Sequence, residues 1–181
     1  MMPPEKAGVW AYPYPVTFYE QENFNISDKY IAEMSDTNQT AFNMVTAMFG
    51  CMYISGRIDL CDENNLNVIK EGIELYKKNR IHIQKSFPIY PTGIHRLNHK
   101  ECFGFGTVSN EKLILAAWNI DSEEKSICID LKKWVNTKSK IKCIYPKKTS
   151  ACCELANSSL KVDFKEKNTA VFFVIENYES V

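Results

Sequence analysis

The chain has no long apolar run. None of its hydrophobic stretches approaches the roughly 18 residues that cross a bilayer, so no membrane helix is expected. It has no charge excess either: 22 Lys and Arg stand against 22 Asp and Glu. A balanced chain exerts no long-range attraction on nucleic acid or on an anionic membrane, so neither partner is expected. The opening Met1-Met2-Pro3-Pro4 lacks the basic and apolar segments of a secretion signal. No CxxC pair occurs among the seven scattered cysteines, Cys51, Cys61, Cys102, Cys128, Cys143, Cys152 and Cys153. A chain of 181 residues is also too long for a disulfide-stapled miniature fold. The cysteines are read as reduced thiols of a cytoplasmic protein. Several sit in apolar strand runs, where Cys acts as a small buried hydrophobe. Asn25, Asn38 and Asn157 fall in N-x-[ST] triplets, read as chance without a secretion signal. There is no internal repeat and no low-complexity segment.

What is present is apolar material for a packed core. Hydrophobic residues make up 45% of a length that suits one domain or two small ones. The first half alternates strand and helix signals. Residues 8–12 read as a short strand, followed by an irregular, aromatic and proline-rich stretch over 13–34. Asp36, with Gln39 three residues on, makes a capping-box pattern at a helix start. Ala41, Phe42, Met44, Val45, Met48 and Phe49 make that helix apolar on more than one side, hence heavily buried. Gly50 is placed to end it in the left-handed conformation. Cys51 to Ser55 reads as a buried strand, and Gly56-Arg57-Ile58-Asp59 as a turn. A second helix is expected from about Asp62 to Arg80, with Leu66, Ile69, Ile73 and Tyr76 forming an amphipathic stripe. Strand–helix–strand–helix order implies parallel βα units.

After about Phe87 the pattern changes. Pro88, Pro91 and Gly93 mark a linker. Beyond it lie only short strand candidates, at 102–108, 112–119, 125–131, 140–145, 159–164 and 169–176. Ser109-Asn110-Glu111-Lys112 and Glu166-Lys167-Asn168 read as hairpin turns. Strands at this spacing imply a small antiparallel sandwich, with Trp118 and Trp134 in its core.

Four segments, taken in order, resemble one family. They are Pro3-Pro4-Glu5 with Gly8-Val9-Trp10-Ala11-Tyr12-Pro13-Tyr14-Pro15, Phe42-Asn43-Met44-Val45-Thr46-Ala47-Met48-Phe49-Gly50, Tyr53-Ile54-Ser55-Gly56-Arg57-Ile58-Asp59-Leu60, and Val68-Ile69-Lys70-Glu71-Gly72-Ile73-Glu74-Leu75-Tyr76-Lys77-Lys78. The series resembles the C-terminal part of α-galactosidase-like enzymes of glycoside hydrolase family 36. The resemblance implies an α/β plus all-β chain. Residues 1–87 would be the last two βα units of a (β/α)8 TIM barrel, and residues 88–181 a C-terminal β-sandwich. It implies cleavage of terminal α-galactosides by a retaining mechanism with two aspartates and no cofactor. Both aspartates belong to earlier barrel strands and have no counterpart here, so no catalytic residue is carried over.

The site candidates follow from that placement. Active sites of such barrels lie at the C-terminal ends of the strands. Trp10, Tyr12 and Tyr14 lie at or just past such an end, and aromatic rings offer sugars an apolar face with a polar handle. Trp10 and Tyr12 are taken as substrate-binding; the alternative is barrel core and loop packing. Ser55 and Gly56 end the second strand, where small residues let a sugar approach the backbone; the alternative is a plain tight turn. Retaining cleavage needs carboxyl groups about 5–5.5 Å apart. Asp59 is read as paired with Arg57 or a backbone amide, and Glu20 as solvated. His82, His95 and His99 complete no zinc-like ligand set, so no metal is expected. Cys152-Cys153 has no electropositive surroundings to activate it.

The chain by itself is therefore expected to be inactive, and residues 1–87 poorly soluble without a missing N-terminal barrel segment. Its partners would be that segment and an α-galactoside. A homo-oligomer stays open, because related enzymes often assemble and an exposed barrel edge invites association. A second reading is a non-catalytic carbohydrate-binding or structural β-sandwich module on residues 88–181. A third is a truncated or split gene, with Met1 or Met2 internal to a longer frame.

Overall fold

The computed structural model describes residues 7–11, 36–56, 58–95 and 99–176. Tyr12, Tyr14, Glu20 and Arg57 fall outside the described residues. In chain order the elements are β1 (Gly8–Ala11), α1 (Thr37–Ala47), β2 (Cys51–Ile54), a 3-10 turn (Ile58–Leu60) and α2 (Glu63–Gln84). Then come β3 (Phe87–Ile89), β4 (Glu101–Val108), β5 (Lys112–Ile120), β6 (Ser126–Asp130), β7 (Lys140–Tyr145), β8 (Cys152–Ala156), β9 (Ser159–Asp163) and β10 (Thr169–Glu176). The fold is mixed α/β. Two helices and a small parallel sheet precede antiparallel sheets that make the remainder mostly β.

Both helices start at an aspartate. The Asp36 carboxylate accepts from the Asn38 N–H at 2.8 Å, and Asp62 accepts from the Asn65 N–H at 2.8 Å. Each satisfies an otherwise unpaired helix-end donor. Asn65 is itself fully buried and ties the two helices: Thr40 Oγ1 donates to Asn65 Oδ1 at 2.5 Å. Helix α2 runs past the expected Arg80 to Gln84. Ile83 continues the buried stripe, and Ser86 Oγ closes the end by donating to the Ile83 carbonyl at 2.7 Å.

Gly50 corrects one expectation. It is not left-handed; among the described glycines the positive φ values belong to Gly56 and Gly93. Gly50 is required by close approach instead. A Cβ there would lie 2.4 Å from the Ala7 carbonyl oxygen and 2.7 Å from Val9 Cγ2.

β1 and β2 pair in parallel, with Gly8 opposite Cys51 and Trp10 opposite Tyr53. Side chains alternate across a strand. Ala11, Val9, Met52 and Ile54 accordingly join Met44, Val45, Met48 and Ile69 of the helices in one apolar core. The same core includes Ile114, Ala116 and Trp118 of β5 and Ala170, Phe172 and Val174 of β10. The other faces of those two strands, Leu113, Leu115, Ala117, Val171, Phe173 and Ile175, pack against Ile129, Leu160 and Val162. The five-stranded sheet, in the order β3-β4-β5-β10-β7, thus lies between the helices and a three-stranded sheet in the order β6-β9-β8.

Trp118 is consequently on the helix side of the central sheet, not between the two sheets as expected. Its Nε1 donates to Thr46 Oγ1 of α1 at 3.3 Å. Trp134 is half-buried against the inter-sheet core. Three further strand-level corrections follow. The supposed linker contains β3, whose Pro88 is tolerated because β3 is an edge strand paired only with β4. β8 was not expected; it joins β9 through Asn157 and Ser158, both at positive φ. Glu166-Lys167-Asn168 is not a hairpin turn, since it carries the chain from β9 in one sheet to β10 in the other. Ser109–Lys112 does form the β4–β5 hairpin, with the Ser109 N–H donating to the Lys112 carbonyl at 2.9 Å.

Candidate functional site

The β1–β2 pair presents two different faces. One is sealed by α1 and α2. The other carries Gly8, Trp10, Cys51 and Tyr53, by the alternation that turns Val9, Ala11, Met52 and Ile54 inward. On it Trp10 is 58% exposed and Tyr53 49% exposed. Their rings stack with centroids 5.6 Å apart and planes 28° from parallel. The Tyr53 ring also lies over Gly8, where an added Cβ would sit 3.2 Å from Tyr53 Cε2. A larger residue at position 8 would push the tyrosine ring aside.

The Tyr53 phenol is raised above its ordinary range. A side-chain hydrogen bond with Cys51 is the largest cause, followed by repulsion from the Cys51 thiolate form. Its hydroxyl, like any phenol neutral at physiological pH, is a hydrogen-bonding handle on this face. A stacked Trp–Tyr pair with one such handle suits a flat, polar-edged ligand such as a sugar ring. None of the four residues on this face carries a carboxylate, so the face does not supply the carboxyl pair that retaining glycoside cleavage needs.

Ser55 follows β2 and donates its N–H to the Ala11 carbonyl at 3.0 Å, extending the ladder by one rung. Gly56 is exposed with φ 98°, a conformation L side chains rarely adopt. Its carbonyl accepts from the Ile58 N–H at 3.1 Å, which closes the turn into the 3-10 segment. The geometry thus brings Trp10 and Tyr53 together, with Ser55 and Gly56 at the end of the neighbouring strand; Tyr12 lies outside the described residues. Asp59 is exposed in the 3-10 turn.

Tyr53 is the residue that reading the sequence missed. Its signal was there: it alternates with Met52 and Ile54 as Trp10 alternates with Val9 and Ala11. Only the strand register shows that the two rings meet.

Two of the histidines have separate acidic partners. His95 Nδ1 lies 2.5 Å from Glu101 Oε1, and its ring stacks on Phe103, which stacks on Trp118. His82 faces Glu111 at 3.5 Å. Among the described residues no three His, Cys, Asp or Glu side chains cluster in a way that could hold a metal ion. All seven cysteines are unpaired. No described helix is long and apolar enough to cross a membrane. No protein-family model matches the chain, and no curated protein matches it.

Proposed function

We propose that the chain is the C-terminal part of an α-galactosidase-like glycoside hydrolase acting on terminal α-galactosides. Residues 1–87 would be the last two βα units of a (β/α)8 barrel and residues 88–181 its C-terminal β-sandwich. The observation that carries the reading is the two-faced parallel pair. In a βα barrel, alternate side chains of each strand point to the axis and the others to the surrounding helices. Here Val9, Ala11, Met52 and Ile54 take the helix side, and the exposed, stacked Trp10 and Tyr53 take the other. The ordered resemblance of the four segments supplies the sugar class.

In this reading Trp10 and Tyr12 form part of the pocket wall, with Tyr53 added to them. Ser55 and Gly56 let the sugar approach the strand end. The two catalytic carboxylates come from strands outside this chain, so the chain is inactive until a separate N-terminal barrel segment completes it. The chemistry needs no metal or organic cofactor. The seven unpaired thiols suit a reducing, cytoplasmic setting.

The test is hydrolysis of a nitrophenyl α-galactoside by the purified chain alone, then mixed with a separately expressed N-terminal barrel segment. Activity only in the mixture is the expected result. Turnover by the chain alone would refute its dependence on outside carboxylates. No activity in either sample, with galactoside binding retained by the chain, would favour a non-catalytic carbohydrate-binding module. That alternative has less support. Among the described residues beyond 87, the large exposed hydrophobics are Tyr90 and Ile94, not a row of aromatics along a sheet face.

A further inference from the structure

In a parallel ladder the N–H and C=O of one residue face the same neighbour, and those of the next residue face the opposite way. The Cys51 N–H donates to the Ala7 carbonyl at 2.8 Å and the Ser55 N–H to the Ala11 carbonyl at 3.0 Å. The backbone groups of Gly50, Met52 and Ile54 therefore point away from β1, along the outer side of β2. One side chain takes two of them. The Tyr76 hydroxyl of α2 donates to the Gly50 carbonyl at 2.8 Å and accepts from the Met52 N–H at 3.4 Å. That is the donor and acceptor pattern a residue of an adjoining strand would offer. Ile54, the next outward-facing residue, is not among its partners. A cleft of about 360 Å³ runs beside the same edge, lined in part by Tyr76, Arg80 and Ile81.

The device occurs twice. On β4, where β3 has already ended, Thr92 Oγ1 accepts from the Gly104 N–H at 2.9 Å and donates to the Gly104 carbonyl at 3.2 Å. A hydroxyl both donates and accepts, so a single one can satisfy both groups of a strand edge. An unpaired edge is otherwise a template for another chain.

We propose that Tyr76 is an edge lock on β2. Its hydroxyl occupies the pairing positions of Gly50 and Met52 and bars a strand from a second copy of this chain from running along that edge. The proposal rests on the β1–β2 hydrogen-bond geometry; in the hydrolase reading the same edge receives the first barrel strand, which must displace the Tyr76 hydroxyl when the N-terminal segment docks.

Tyr76→Phe keeps the ring and removes the lock. Amide hydrogen exchange should accelerate about tenfold or more at Met52 while Cys51 and Tyr53, which face β1, keep their protection. Sedimentation velocity should show self-association tightened by about tenfold relative to the unsubstituted chain. Unchanged exchange at Met52, or faster exchange with no change in association, would overturn the proposal. The unsubstituted chain gives a second reading that needs no variant: Met52 should exchange about tenfold slower than Ile54. Equal rates at the two amides would also overturn it.

Discussion

β10 and β2 both pack one face against helices, and there the likeness stops. β10 is paired on both edges, by β5 and β7, and its other face lies against the three-stranded sheet. β2 is paired on one edge by β1, and its other face is open around Tyr53. Tyr76 covers part of the outer edge, but an open aromatic face is costly to keep in water unless something uses it. The contrast separates a buried scaffold from the exposed face proposed to bind sugar. Residues of β10 should govern stability, and, on the proposed function, the exposed residues of β1 and β2 should govern recognition.

Phe172→Ala tests the scaffold half hardest. Phe172 is fully buried, and its ring lies 5.4 Å from that of Phe49 at the end of α1. Truncation should cost about 3–5 kcal/mol, read as a lowered urea midpoint. A loss below about 1 kcal/mol would mean that the helical layer is not docked on the central sheet in solution.

Tyr145→Phe comes next. Tyr145 is fully buried in β7 and donates to the Val68 carbonyl of α2 at 3.0 Å, joining the helical layer to the sheet. Burial, with a smaller push from Glu71, holds its phenol far above the ordinary range, so it remains a donor throughout the accessible pH range. Removing the hydroxyl should cost about 1–2 kcal/mol by the same denaturation measurement. A neutral outcome would show that the Val68 carbonyl finds another donor.

Cys152 and Cys153 repeat the contrast between faces within one strand. Cys152 is exposed, while burial pushes the Cys153 thiol from 9.0 up to about 11. Below pH 9 Cys153 is neutral folded or unfolded and contributes no pH dependence. Between pH 9 and about 11 the unfolded chain loses the proton and the folded chain keeps it, so stability falls as pH rises. At pH 8 a thiol reagent followed by peptide mapping should label Cys152 about tenfold faster than Cys153. Equal labelling would mean that β8 frays from β9.

The smallest effect on stability is expected at the working surface. Trp10→Ala and Tyr53→Ala should each change stability by no more than about 0.5–1 kcal/mol, because both rings are about half in water. If the proposed hydrolase reading holds, the same variants should weaken galactoside recognition once the barrel is completed. A loss as large as that of Phe172→Ala would show that this face is covered in the isolated chain.

Much of the fold is legible in the residues themselves. Asp36 and Asp62 announce helix starts because a short carboxylate can cap backbone N–H groups. The strands at β4, β5, β7 and β10 stand out as apolar runs between turn signals. β8 is not legible, because Cys152-Cys153-Glu154-Leu155-Ala156 is short, without β-branched or aromatic residues, and its turn, Asn157-Ser158, has no glycine to mark it. β3 is hidden by Pro88, which speaks against a strand unless its edge position is known. At the candidate site Trp10, Ser55 and Gly56 are legible from their place at strand ends. Tyr53 is not, because its importance comes from the ring it meets across the ladder.

The amino-acid sequence by itself determined where both helices and all strands but β3 and β8 form, that the first half alternates strand with helix and the second is mostly β, and that the formal charge is balanced. Those properties depend on neighbours within a few residues: caps, periodicity and turn chemistry. The tertiary structure alone decided that Trp118 faces the helices, that Trp10 stacks on Tyr53, and that Tyr76 closes the edge of β2. Periodicity shows which side chains need cover, but the partner that covers them is set by pairing register and layer order, which join residues distant along the chain.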